Sequence, residues 1–137
     1  MQLTLDSVLL TDLYELTMLQ SYFDTGMNET ASFELFVRAL PTGRNFLMAA
    51  GLEEIVRYLE QLRFTREDLT ALSKTGRFST PFLRSLEHLR FTGDVDAMPE
   101  GTVFFPDEPI LRITAPMREA QLVESRLMNL AHFETVV

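Results

Sequence analysis

After Gly93 the hydrophobic pattern of this chain changes period, and that change constrains the fold more than any other feature. Through most of the preceding sequence, apolar side chains recur every three or four residues, as on helices with one buried face. Between 94 and 115 they alternate, as on strands with one wet face. From 118 onward helical spacing returns. Helices and strands in mixed rather than regularly alternating order predict an α+β fold.

Local signals place the elements. A helix is expected from the first residues of Leu9-Leu10-Thr11-Asp12-Leu13-Tyr14-Glu15-Leu16-Thr17-Met18 up to Gly26. Thr11 is its expected N-cap, and Asp12 and Glu15 suit the positive end of the helix dipole. At 100° per residue its apolar side chains cover most of the circumference and leave a narrow polar strip of Thr17, Gln20, Ser21 and Asp24, so the helix is expected to be largely buried. Strands are predicted over 31–40 and 46–50, with Pro41-Thr42-Gly43 as a turn. Leu52, Ile55, Leu59 and Leu62 mark a second helix, on which Glu53 and Arg57 have i,i+4 spacing. Thr65-Arg66-Glu67-Asp68 resembles a capping box for a helix that Gly76 closes. Thr80 and Pro81 are expected as N-cap and N1 of a helix over 81–89. A small antiparallel unit is predicted from 94–97, 102–105 and 110–115, the last two flanking Pro106-Asp107-Glu108-Pro109. The final helix, 118–137, ends on two valines with no Gly or Asn cap, basic last turn or following Pro. It is expected to leave an apolar face for another part of a larger protein or assembly to cover.

Composition narrows the classes of function. The 137 residues, 46% hydrophobic and 23% charged, suit one domain with a sizeable core. A net charge of −8 is unsuited to nucleic acid, whose phosphates need clustered cations. No apolar run is long enough to span a bilayer, and no secretory signal is evident. With no cysteine, neither a disulfide framework nor a thiolate zinc site can form, which is compatible with a cytoplasmic location. Lys74 is the only lysine, so arginine carries nearly all the positive charge.

Few residues present themselves for chemistry. Glycine-rich phosphate loops, His-Glu-x-x-His and Gly-x-Ser-x-Gly are all absent. His88 and His132 lack partners at ligand spacing and are expected to be structural or surface groups. Asp94, Asp96, Asp107 and Glu108 are expected to be solvated turn residues, although such a set can also gather around a hard cation. No metal site is expected. Arg38 and Arg44, on either side of the Pro41 turn, are expected to be solvated, with anion binding as the alternative. Arg126, Asn129 and Glu134 project into the apolar arc of the last helix, where polar groups need partners. Tyr14 stands in the first turn of an otherwise apolar helix. Its phenol is either a core group bonded to backbone or a ring stacked on a flat ligand.

The motif Leu10-Thr11-Asp12-Leu13-Tyr14-Glu15-Leu16-Thr17-Met18 resembles the opening motif of nicotinate phosphoribosyltransferases. The resemblance continues through Phe33-Glu34-Leu35-Phe36-Val37-Arg38, Leu40-Pro41, Ala49-Ala50-Gly51-Leu52-Glu53 and Phe91-Thr92-Gly93-Asp94-Val95. It resumes in Pro99-Glu100-Gly101-Thr102-Val103-Phe104-Phe105-Pro106, Glu108-Pro109, Glu124 and Leu127-Met128-Asn129-Leu130. It covers nearly the whole chain, but only the N-terminal part of such enzymes. It implies an N-terminal α/β sandwich domain with a small antiparallel β unit, of the type that packs on a phosphoribosyltransferase α/β barrel, the barrel itself missing here. Residues 1–117 would form that domain, and 118–137 a helix leading into the barrel.

The resemblance also implies a reaction. Nicotinate and phosphoribosyl pyrophosphate would give nicotinate mononucleotide and pyrophosphate, a step of NAD biosynthesis. ATP and Mg2+ would serve the complete enzyme, with ATP hydrolysis coupled through a transiently phosphorylated histidine, and this chain alone would bind neither. Neither His88 nor His132 matches that histidine. Tyr14 would stack on the nicotinate ring. Asp12 is a second candidate, although capping already accounts for it. No catalytic residue is expected within the chain, whose isolated form is expected to be inactive, and a homodimer sharing sites between subunits is implied. The competing expectation is a noncatalytic binding or assembly module. A stand-alone ligand-binding protein would enclose Tyr14 in a pocket, whereas an enzyme's N-terminal domain would leave it on an open surface beside the last helix.

Overall fold

The computed structural model describes residues 13–40 and 42–136, with side-chain environments for 14–40, 42–128 and 130. Helix α1 (Leu13–Asp24) is followed by β1 (Thr30–Leu35) and β2 (Leu47–Met48). Three helices follow: α2 (Leu52–Glu60), α3 (Arg66–Lys74) and α4 (Thr80–Leu86). Strands β3 (Asp94–Ala97), β4 (Val103–Phe104) and β5 (Leu111–Pro116) lead to α5 (Met117–Val136). This is the α+β arrangement that the change of period predicts, and no barrel is present among the described residues.

The main sheet has the order β1-β5-β3 and is antiparallel throughout. Its pairing follows from alternation. Phe33 lies opposite Ile113 and Leu35 opposite Leu111, so the half-buried face of β1 continues the buried face of β5. On the other face Arg112 and Glu34 form an ion pair at 2.6 Å, and the Ser32 and Thr114 hydroxyls meet at 3.2 Å. Helix α5 packs on β1 and β5 and also against α1 and α2. Ala120, Leu122, Val123 and Leu127 of α5 are fully buried, so the first half of this helix is part of the core. Arg118, in its first turn, ties three helices together: Nη2 donates to Ser85 Oγ of α4 at 2.8 Å, and the guanidinium lies 5.3 Å from the Phe23 ring of α1.

Strand β4 departs from expectation. It pairs with β2, not with its sequence neighbours, and the 106–109 turn does not close a β4–β5 hairpin. That turn is held instead by the end of β1 and the chain just after it: the Ile110 N–H donates to the Leu35 carbonyl and the Asp107 N–H to the Val37 carbonyl, each at 2.8 Å. The strands predicted over 31–40 and 46–50 are correspondingly shorter, β1 stopping at Leu35 and β2 holding Leu47 and Met48. Phe46, Met48, Val103 and Phe105 form an exposed apolar face on the β2–β4 ribbon.

Helix ends show which local signals hold. Thr65 and Asp68 form the full capping box, the Thr65 hydroxyl accepting from the Asp68 N–H and the Asp68 carboxylate from the Thr65 N–H. At α4 the cap is Ser79 rather than Thr80, because the Ser79 hydroxyl reaches the Phe82 N–H; the helix ends at Leu86 rather than 89. On α2, Arg57 pairs with Glu54 at i,i+3 rather than with Glu53. The α2 N-terminus is capped from a distance. Glu100 accepts from the Gly51 N–H at 2.9 Å and the Leu52 N–H at 3.1 Å, while Gly51 takes φ 85°, which a side chain would oppose. Two separated stretches of the motif, Gly51-Leu52 and Pro99-Glu100-Gly101, are thereby joined.

Candidate functional site

Two adjacent residues of α1 point in different directions. Tyr14 is 53% exposed, on an outer strip with Thr17, Ser21 and Asp24, whereas Glu15 has no exposed surface and lies on the inner side with Leu16 and Leu19. The expectation of a largely buried helix is therefore corrected: α1 buries one face and leaves the Tyr14 strip open. An aromatic ring spread at the surface beside α5 can offer a stacking face. Asp12, the other residue implicated by resemblance, and the expected cap Thr11 lie outside the described residues.

Glu15 escaped the sequence reading, which gave it only a dipole role. One signal could have found it: it is missing from the polar strip of its own helix and shares the arc of Leu19. In the structure α5 holds it. Ser125 Oγ donates to Glu15 Oε1 at 3.1 Å and Gln121 Nε2 does so at 3.5 Å, while Gln121 also donates to Glu124 at 2.7 Å. Glu15 Oε2 is shielded from solvent, and among the described residues no hydrogen bond reaches it. Burial is the main reason that the carboxyl pKa is pushed up to about 7; the charge of Glu124 adds to the rise, and hydrogen bonds from Ser125, Tyr14 and Gln121 oppose it. Tyr58 of α2 is buried in the same region, its phenol pushed up to about 12, chiefly by burial, with Arg126 opposing and Glu15 reinforcing the shift.

This cluster should be visible in stability. A carboxyl titrating near 7 when folded and near 4.5 when unfolded keeps its proton longer in the native state. Its contribution is complete below about pH 4.5, falls as pH rises towards 7 and is flat above that. The decline amounts to about 3 kcal/mol for one such group. Glu15→Gln should remove this slope, as read by urea denaturation from pH 4.5 to 8. An unchanged slope would assign the pH dependence to other groups.

The other candidates are scattered. His88 is exposed in the turn after α4, and the side chain of His132 lies outside the described residues, as do those of Asn129 and Glu134. Asp94 and Asp96 are on β3, while Asp107 occupies a tight turn with φ 67° in which Glu108 accepts the Phe105 N–H. Among the described residues no three His, Cys, Asp or Glu side chains are arranged to hold a metal ion. No described helix is long and apolar enough to cross a membrane. Arg38 and Arg44 are exposed and lie in different depressions. Arg38 stands at a groove of about 370 Å³ between β1 and α5, floored by Phe33, Ile113 and Val123 and bordered by Glu124.

The chain is similar to known proteins along nearly its full length. The family described as nicotinate phosphoribosyltransferase (NAPRTase) N-terminal domain matches residues 9–132. Nicotinate phosphoribosyltransferase pncB2 of Mycobacterium tuberculosis is 53% identical over 129 residues, covering 94% of this chain and 28% of the relative. The nicotinate phosphoribosyltransferase of Bacillus subtilis is 41% identical over 128 residues, covering 93% and 26%. The crystal structure of human nicotinic acid phosphoribosyltransferase superposes with a TM-score of 0.79 at 36% identity, over 88% of this chain and 25% of that one. The chain thus spans about a quarter of the length of the curated relatives it matches. By the extent of these matches and by its fold, it belongs to the nicotinate phosphoribosyltransferase family, within which it corresponds to the N-terminal domain.

Proposed function

We propose that this chain serves as the N-terminal domain of an enzyme that joins nicotinate to the ribose C1 of phosphoribosyl pyrophosphate. The products would be nicotinate mononucleotide for NAD biosynthesis and pyrophosphate, with ATP hydrolysis coupled to the step. The observation that carries this reading is the open presentation of Tyr14, 53% exposed on a helix packed against α5. A stand-alone binding protein would enclose that ring. A flat aromatic acid needs a stacking surface and a cation for its carboxylate. Tyr14 supplies the surface, and the cation, the phosphate-binding groups and the phosphorylated histidine are assigned to the barrel. In this proposal ATP and Mg2+ also belong to the complete enzyme, as the family resemblance implies. A cytoplasmic location and a homodimer sharing sites between subunits form part of the same proposal, supported by the family resemblance.

The transition state of ribosyl transfer has oxocarbenium character, so fixing the nicotinate nitrogen against C1 is the main task open to a ring platform. Turnover is measured with nicotinate, phosphoribosyl pyrophosphate and Mg-ATP, for the chain alone and in its complete coding context. Nicotinate mononucleotide is expected only in the second sample, where Tyr14→Ala should raise the nicotinate KM about tenfold. Product from the chain alone would overturn the division of labour. Product from neither folded sample would favour a noncatalytic binding or assembly module.

A further inference from the structure

The structure places a buried carboxyl clamp directly behind Tyr14. Gln121 and Ser125, one turn apart on α5, converge on the same Glu15 oxygen at 3.5 and 3.1 Å. Glu15 has no exposed surface, and its neighbour Tyr14 is more than half exposed. Consecutive helical side chains are about 100° apart, so locking Glu15 against α5 also sets the direction in which Tyr14 leaves the helix. The Tyr14 hydroxyl adds a hydrogen-bonding interaction with the same carboxyl. An apolar residue could fill the space, but it would allow α1 to rotate or slide on α5. The directional hydrogen bond from Ser125, supported by the longer contact from Gln121, resists both motions.

We infer that Glu15 is a positioning residue for nicotinate: held by Ser125 and Gln121, it sets the rotation of α1 and so the attitude of the Tyr14 ring. This rests on the reading of Tyr14 as the nicotinate platform. Glu15 touches no substrate and acts entirely through its neighbour.

The test is steady-state kinetics on the complete protein that carries this chain, with the KM for each substrate measured separately. Glu15→Leu should raise the nicotinate KM roughly 5- to 10-fold, the loss expected from one or two hydrogen bonds. The phosphoribosyl pyrophosphate KM should stay within about twofold. Glu15→Gln, which keeps an acceptor for Ser125, should restore the nicotinate KM to near the parent value. Ser125→Ala should shift it about threefold in the same direction, and it serves as the test if Glu15→Leu does not fold. In a Tyr14→Ala background, Glu15→Leu should add nothing, because its only route to nicotinate has been removed.

Additive effects of Tyr14→Ala and Glu15→Leu would overturn the inference. So would equal rises in both KM values, or a nicotinate KM untouched by Ser125→Ala and Glu15→Leu. If Tyr14→Ala alone leaves the nicotinate KM unchanged, the platform reading fails and the positioning role fails with it. If Tyr14→Ala raises the KM but the Glu15 and Ser125 variants do not, the platform stands and only the positioning role is lost.

Discussion

Phe82→Ala is expected to lower the stability of the protein by about 3–5 kcal/mol, the range for deleting a fully buried phenylalanine. Phe82 has no exposed surface, and its ring lies 5.9 Å from that of Phe23 and 5.7 Å from that of Phe78. It thus joins α4 to α1 and to the segment entering α4. Truncation forfeits the transfer free energy of the ring and leaves a cavity that these helices cannot fully close. Its backbone is fixed as well, because the Phe82 N–H is the donor to the Ser79 cap. The measurement is the shift in urea midpoint at constant m-value. Phe82→Leu should recover more than half of the loss, since it refills most of the volume. A loss below about 1 kcal/mol for Phe82→Ala would mean that the α1–α4 contact is not part of the cooperative core.

Gly93→Ala is the second large effect. A Cβ at Gly93 would collide with the Ala115 side chain and the Thr114 carbonyl oxygen, and would lie 2.8 Å from the Ala115 Cα. These are largely backbone atoms of the central strand, so no flexible side chain can move aside. The segment is also anchored just upstream, where the Thr92 N–H and hydroxyl both donate to the Glu119 carboxylate of α5. A shift of residue 93 would therefore break either those bonds or the β3–β5 pairing. Destabilisation of about 3 kcal/mol is expected, the upper part of the usual overpacking range. Gly93→Ala should also weaken amide protection of β3 more than that of α3, as read by hydrogen exchange. Equal stability to the parent would show that the segment at residue 93 can move freely away from β5.

The candidate site was partly legible. The motif draws attention to Tyr14, which the structure leaves exposed, whereas the helix carrying it is expected to be largely buried, because a helix rich in apolar side chains looks buried from every side. For Glu15, the better anchored of the pair, local rules offer only a dipole-compensating role. Nothing in its identity distinguishes a carboxylate facing water from one facing Ser125 and Gln121, more than a hundred residues away. The same holds for Glu100, whose two bonds to the start of α2 are invisible to any local rule.

What the sequence by itself determined is what depends on a few adjacent residues. The capping box at Thr65, the helical period of Leu52, Ile55 and Leu59, the left-handed turn at Gly76 and the alternation along β5 all appear where local chemistry puts them. The tertiary structure alone decided that β4 leaves its neighbours for β2, that α5 forms part of the core, and that α1 turns Tyr14 outward and Glu15 inward. The physical reason is one of range. Caps, turns and periodicity are set by bonds between residues a few positions apart. Strand partners and helix rotation are set by whichever distant surface buries the most apolar area while satisfying every buried polar group, and that competition is settled only when the chain is packed.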